Sequence, residues 1–158
     1  MKYVYYYDTA LGRLGIAEED GALTDLFFAW EKNQPQATEE KETTLLREAA
    51  RQIAEYLAGE RREFDLPLKP QGTDFQQRDW QALLTIPYGE TRSYGQIAAQ
   101  LGNAKACRAV GLANNRNPIA IIIPCHRVVG ADGKLVGYGG GLEIKEKLLK
   151  LEAAIARV

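Results

Sequence analysis

Residues 93–111 read SYGQIAAQLGNAKACRAVG. Ser93 and Gln96 have the Ser-x-x-Gln spacing of a capping box, in which each side chain satisfies a backbone N–H of the other's turn, so a helix opens here and runs through IAAQL. Gly102-Asn103 reads as a turn, and AKACRAVGLANN as a second helix over 104–115. Helix, glycine-containing turn and helix make the helix-turn-helix pattern. Many proteins that never touch DNA contain such a pair, so composition has to sharpen it. At helical spacing Ala106, Val110 and Ala113 face the core, while Lys105, Arg108, Leu112 and Asn115 face away. The alanines and Gly111 keep the second helix slim, which lets a backbone come close to a partner. Arg108 is the cation nearest its middle. Close packing on a neighbouring helix is the other use of such a surface.

Charge is divided unevenly around this stretch. Residues 1–72 carry 9 Lys/Arg against 14 Asp/Glu, and residues 73–158 carry 11 against 7, so −5 and +4 sum to the net −1 of the chain. No acid occurs between Glu90 and Asp132, whereas Arg92, Lys105, Arg108, Arg116 and Arg127 do. An acid-free basic stretch points toward a polyanionic partner.

Upstream, the first thirty residues (YVYYY, LGIAEED, ALTDLFFAW) are rich in aromatic and β-branched residues, punctuated by Gly12 and Asp20-Gly21, and predict a small antiparallel meander. Residues 31–42 are polar and read as a loop. TTLLREAARQIAEYLAGE predicts an amphipathic helix with Leu46, Ala50, Ile53 and Leu57 on one face. REFDLPLKPQG looks extended and makes a join between halves. The fold class is therefore α+β: an N-terminal sheet-and-helix domain over 1–72, then a mostly helical domain over 73–158 that holds the helix-turn-helix. With 158 residues, 46% of them hydrophobic, the chain can fold without staples. Two cysteines, no signal-like start and no long apolar run suggest a reduced, soluble, cytoplasmic protein, with no Cys107–Cys125 disulfide. One histidine and two cysteines lack the paired spacings of zinc sites, so no metal is expected, and separately no cofactor is expected.

Downstream lies IIIPCHRVVG, residues 121–130, with the only histidine directly after one of the two cysteines. The isoleucines read as a buried strand that Pro124 ends, leaving Cys125 and His126 at the edge of a rigid core. A nucleophilic cysteine needs a base or positive surroundings. Sequence neighbours need not touch, so a water could relay the proton. A carboxylate would complete the relay by holding the imidazole. In the last helix Ile144, Leu148, Leu151 and Ile155 form one apolar arc and Leu142, Leu149 and Ala156 a second, with Lys145 and Glu152 between them. Glu143, Glu146, Lys147, Lys150 and Arg157 fall on the polar face. An acid between apolar arcs must be partnered. Glu152 on His126 is favoured over a Lys145–Glu152 contact, because those two are two turns apart. Gly139, Gly140 and Gly141, beside Tyr138, can bring backbone N–H groups close to a ligand or supply flexibility alone.

PCHRVVG, with SYGQIAAQLGNAKACRAVG and NRNP before it and YGGGLEIKEKLLKLE after it, resembles the O6-alkylguanine-DNA alkyltransferases over roughly residues 73–152. The first third is similar in plan to the ribonuclease-H-like domain that precedes the active domain there. The resemblance implies irreversible, single-turnover transfer of an alkyl group from O6-alkylguanine in DNA to Cys125, after the nucleotide is flipped out. It implies that His126 activates Cys125 through a water, that Glu152 orients His126, that Asn117 steadies the backbone, and that Tyr94 meets the 3′ phosphate and protonates the departing base. Arg108 becomes the finger that fills the stack, with Lys105, Asn115 and Arg116 as further DNA contacts and Val128, Tyr138, Gly139 and Lys145 around the base. The implied partner is double-stranded DNA, entered through the minor groove, by a monomer with no membrane attachment, in the cytoplasm or in a eukaryotic nucleus. Some relatives have serine at Gly139, so tolerance for bulky alkyl groups can differ. Cys107 is expected to be a small buried residue. A cysteine hydrolase using Cys125 and His126 and a non-catalytic alkylguanine-DNA-binding protein are the competing readings.

Overall fold

The computed structural model describes residues 1–156; Arg157, expected on the polar face of the last helix, lies outside the described residues. The chain divides into two compact units, Met1–Gln71 with Pro118–Ala120, and Gly72–Asn117 with Ile121–Val158. No described helix is long and apolar enough to cross a membrane.

In the first unit the expected meander is present as β1 (Lys2–Thr9), β2 (Gly12–Glu19) and β3 (Ala22–Phe28), paired antiparallel. The β2–β3 turn is Asp20-Gly21, with φ of 53° and 79°, the pair of left-handed residues that matches the twist of a hairpin. The tip of the Phe27 ring sits against Gly15, where a Cβ would come within 2.3 Å of it. Within the stretch expected to be a loop, β4 (Glu39–Glu40) pairs parallel to β1, giving the order β3-β2-β1-β4. The extended segment before the second unit bridges β3 at Leu23–Leu68. Helix α1 (Thr44–Leu57) is capped by the Thr43 hydroxyl, which accepts from Leu46 N and donates to Glu18 of β2. Its buried face is Leu46, Ala49, Gln52, Ile53 and Tyr56, so Ala50 and Leu57 are only half-buried. The expected face is rotated because Tyr56, its ring 5.3 Å from the Phe64 ring and tilted 43° to it, buries more apolar surface than Leu57 could.

The second unit is mostly helical. Helix α2 (Asp74–Leu84) and α3 (Tyr94–Gln100) both open with complete capping boxes, Thr73–Gln76 and Ser93–Gln96. Helix α4 (Cys107–Asn115) starts three residues later than its sequence suggests. Asn103 accounts for the delay: its Oδ1 accepts from Lys105 N at 3.1 Å and its carbonyl from Ala106 N at 3.0 Å, which holds Ala104-Lys105 in a turn. Helix α5 (Leu142–Ala156) closes the unit. Trp80, Leu83, Ile97, Val110, Ile123 and Leu148 are buried at its centre.

The isoleucine run is not a strand. Ile119 makes one isolated bridge to Leu26 of the first unit's sheet, residues 120–122 turn, and Ile121 adopts φ 70°, a conformation that β-branched residues rarely enter. An uninterrupted apolar run records burial, and burial alone does not separate a strand from an irregular core segment. Hydrogen bonds hold the run instead: Leu26 N to Pro118 O at 2.8 Å, Ala120 N to Leu26 O at 3.0 Å, and Asn117 Nδ2 to Ile123 O at 2.8 Å.

Candidate active site

Pro124 leads into a single 3-10 turn, Cys125–Arg127, followed by the two-residue strand β6 (Val128–Val129). That strand pairs parallel with β5 (Arg92–Ser93), matching Arg92 with Val128 and Ser93 with Val129. The turn carrying Cys125 is thus tied to the N-cap of α3. Cys125 is 8% exposed and His126 fully buried.

Glu152, on α5, gathers the turn from beneath. Its Oε2 lies 2.7 Å from His126 Nε2 and 3.0 Å from Arg127 Nη2, and its Oε1 lies 2.8 Å from Arg127 Nε and accepts from Gly89 N at 3.2 Å. Burial raises the carboxyl, but hydrogen bonds from His126 and Arg127 outweigh it and hold the group at about 2. Burial pushes the His126 imidazolium below its usual range, against the pull of Glu152. A carboxylate can only accept, so Nε2 of the neutral imidazole carries the hydrogen and Nδ1 is left with its lone pair. That Nδ1 is buried and meets no hydrogen-bond partner among the described residues. A buried base atom is therefore available on the residue next to the thiol.

The thiol needs it. Burial pushes the Cys125 thiol up to about 11, while the Asn117 amide and the Lys145 charge pull in the other direction and Asp79 adds to the rise. On the order of one thiol in ten thousand is ionised at neutral pH at that value. Lys145 is buried on α5, and burial lowers its ammonium. It does not reach Glu152: Nζ donates to Val136 O at 2.9 Å and Gly137 O at 3.4 Å. The Tyr94 hydroxyl donates to the same Val136 carbonyl at 3.0 Å, so α3 and α5 stake the 130–141 loop at one point. Burial and the Cys125 charge raise the Tyr94 phenol. Gly137, which no motif singles out, has φ 48°, and a Cβ there would lie 3.3 Å from Asn115 Oδ1. Tyr138 is half-buried and Gly139 exposed on this loop, while Val128 is fully buried. Of the three glycines, Gly141 sits at the start of α5 with φ 103°.

On α4, Val110, Ala113 and Asn114 are buried, and Arg108, Leu112, Asn115 and Arg116 are exposed, as is Lys105 just before it. Two expectations fail here. Cys107 is exposed, because the delayed start of α4 puts it in the first turn, where no preceding turn covers it. Arg127 is not part of a basic surface: it is buried, forked onto Glu152, with Nη1 donating to Ile86 O at 2.7 Å and the guanidinium 5.7 Å from the Tyr88 ring. Its place right after His126, on a 3-10 turn, was the available signal that both answer to one carboxylate.

Comparison with known proteins places this geometry. The family model described as 6-O-methylguanine DNA methyltransferase, DNA binding domain, matches residues 74–154, and the one described as the ribonuclease-like domain of the same family matches residues 1–70. A methylated-DNA–protein-cysteine methyltransferase of Methanosarcina acetivorans is 52% identical over 96% of this chain and 99% of its own. The constitutive methylated-DNA–protein-cysteine methyltransferase of Bacillus subtilis is 52% identical over 96% of each chain. The crystal structure of Mycobacterium tuberculosis OGT in complex with DNA superposes with a TM-score of 0.90 at 50% identity, over 97% of this chain and 94% of that one. Matched by both family models in chain order, and by relatives of about half identity along nearly its whole length, the chain belongs to the 6-O-methylguanine DNA methyltransferase family.

Proposed function

We infer that this protein repairs DNA by moving the alkyl group of O6-alkylguanine onto its own Cys125. The observation that carries the inference is the buried Cys125–His126–Glu152 arrangement, with a protonated Nε2 on the carboxylate and a free lone pair on Nδ1, in a chain about half identical to named methyltransferases. The residues 73–158 do the chemistry and bind the duplex, and their excess of positive charge suits a polyanion. The exposed side of α4 enters the minor groove, where a slim helix fits, and Arg108 takes the place of the departed nucleotide in the stack. Lys105, Asn115 and Arg116 hold the backbone around it. Flipping the nucleotide costs a few kcal/mol and is needed because the alkyl carbon is unreachable inside a duplex.

The step balances as one thiol and one O6-alkylguanine giving one thioether and one guanine. A water between Cys125 and His126 Nδ1 passes the thiol proton to the imidazole, and the resulting imidazolium is stabilised by Glu152. The thiolate attacks the alkyl carbon, the C–O6 bond breaks, and the electron pair leaves with the base. Tyr94, kept protonated by its burial, turns its hydroxyl from Val136 O to the base and gives it a proton, so that guanine leaves neutral, and the proton taken up by His126 is returned through solvent to the Tyr94 phenolate. Val128, Tyr138 and the Gly139 N–H line the base, Lys145 keeps the loop in place and favours the thiolate, and Asn117 steadies the turn. Nothing restores the thioether to a thiol, so each molecule acts once. The protein works where the DNA is, in the cytoplasm of a cell without a nucleus. Cys125→Ser tests the acceptor: it should bind alkylated duplex as the parent does and never gain mass, and retained transfer would exclude Cys125.

A further inference from the structure

Asp79 on α2 is fully buried, and the transfer chemistry gives it no task. Its carboxylate faces Asn114 on α4. With the Asn114 amide nitrogen turned toward α2, that nitrogen donates to Asp79 Oδ2 at 2.6 Å and to Val110 O at 3.2 Å. The next residue of α2, Trp80, donates its indole N–H to Ala113 O at 2.9 Å. Two consecutive residues of α2 therefore grip two consecutive residues near the end of α4. Asn117 follows directly: its N–H donates to Asn114 O at 3.1 Å, its side chain holds Ile123 O at 2.8 Å, and its amide bears on the Cys125 thiol. The Asp79 charge reaches the same thiol and opposes its ionisation.

We propose that Asp79 is a positioning residue of the transfer site, which holds the end of α4 that leads to Asn117 and whose ionisation restrains formation of the Cys125 thiolate. The groups that face it fit that role. Helix α4 offers the uncharged Asn114 amide, which also binds Val110 O, and the 3-10 turn that carries the Cys125 thiol packs against α2. Burial pushes the carboxyl up to about 7, so both of its forms are populated near neutral pH. The ionised form accepts from the Asn114 NH2. The protonated form donates its O–H to Asn114 Oδ1, with the amide turned over. The latch persists through the titration while the negative charge comes and goes. Thiol reactivity at Cys125 then climbs by less than tenfold per pH unit while Asp79 ionises, because each step exposes the thiolate to more of a like charge.

The test uses Asp79→Asn, which keeps shape and hydrogen bonding without the charge, and Asp79→Leu, which keeps neither. The readout is the rate of iodoacetamide alkylation at Cys125, followed by peptide mass from about pH 6 to about pH 9. The expected result is a wild-type profile that flattens near the Asp79 transition, an Asp79→Asn profile without that flattening, and several-fold faster reaction in the variant at the alkaline end. Exposed Cys107 in the same samples should not change. Superimposable Cys125 profiles would overturn the charge role. Asp79→Leu transferring from O6-benzylguanine as fast as Asp79→Asn would overturn the holding role. The proposal rests on Cys125 as acceptor only in that second readout, so altered iodoacetamide profiles without any transfer by the wild type would count against the alkyltransferase reading and in favour of the charge role.

Discussion

His126 Nε2 lies 2.7 Å from Glu152 Oε2, with both side chains buried, and this contact fixes which imidazole nitrogen is the base. The carboxylate accepts the Nε2–H hydrogen bond, which leaves Nδ1 as the nitrogen proposed to draw a proton from Cys125. Glu152→Gln removes the charge that stabilises the imidazolium, and it is expected to slow transfer from O6-benzylguanine by about a hundredfold, in the usual range for a disabled acid–base group. Single-turnover rates measured by intact mass will check this, and an unchanged rate would remove Glu152 from the relay.

Arg127 forks onto the same carboxylate and is buried with it. Arg127→Ala leaves Glu152 without its cation and should cost about 3–5 kcal/mol of stability. Arg127→Lys should recover only part, since a point charge cannot form two parallel hydrogen bonds and still reach Ile86 O. Urea denaturation of the three proteins gives the comparison. A basic surface role instead would leave stability intact and weaken DNA binding.

Two buried carboxyls give stability opposite responses to pH. The Glu152 carboxyl is held at about 2 in the fold, below its ordinary value, so its contribution is complete above that ordinary value and is lost as pH falls toward 2. Asp79 is raised to about 7, so the fold prefers its neutral form and stability falls as pH rises from the ordinary carboxylate range toward 7. Glu152→Gln should flatten the acid limb of a melting-temperature profile and Asp79→Asn the segment between about pH 4 and about pH 7. A profile unmoved by either variant would contradict these environments.

Arg108 is exposed on α4, on a different element from the 3-10 turn that carries the thiol. Arg108→Ala should slow repair of duplex DNA about tenfold or more while leaving reaction with free O6-benzylguanine within about twofold, since in the proposed scheme only the duplex requires a flipped nucleotide to be held out. Equal losses on both substrates would argue against the finger role.

The parts of this site that could be read from sequence are those set by local rules. The Ser93–Gln96 box depends on residues three apart, and it is complete in the structure. Glu152 stood out because an acid between two apolar arcs of α5 must find a partner in the core. Readings that failed depended on competition between distant groups. The isoleucine run is buried, but the bridge to Leu26 and the Asn117 side chain, not a ladder, decide its backbone. Cys107 became exposed because Asn103 delays α4 by three residues. Arg127 counted as surface charge until a carboxylate 25 positions away proved to be its partner. Asp79 gave no periodic signal, because the group it meets, Asn114, lies on another helix.

The most direct test of the central claim is intact-protein and peptide mass after an excess of the freshly reduced protein meets duplex DNA holding one O6-methylguanine. One methyl group on Cys125, matched by one restored guanine and no second turnover, is the predicted result. Binding of the duplex with no gain in mass, or a methyl group on Cys107 instead, would contradict it.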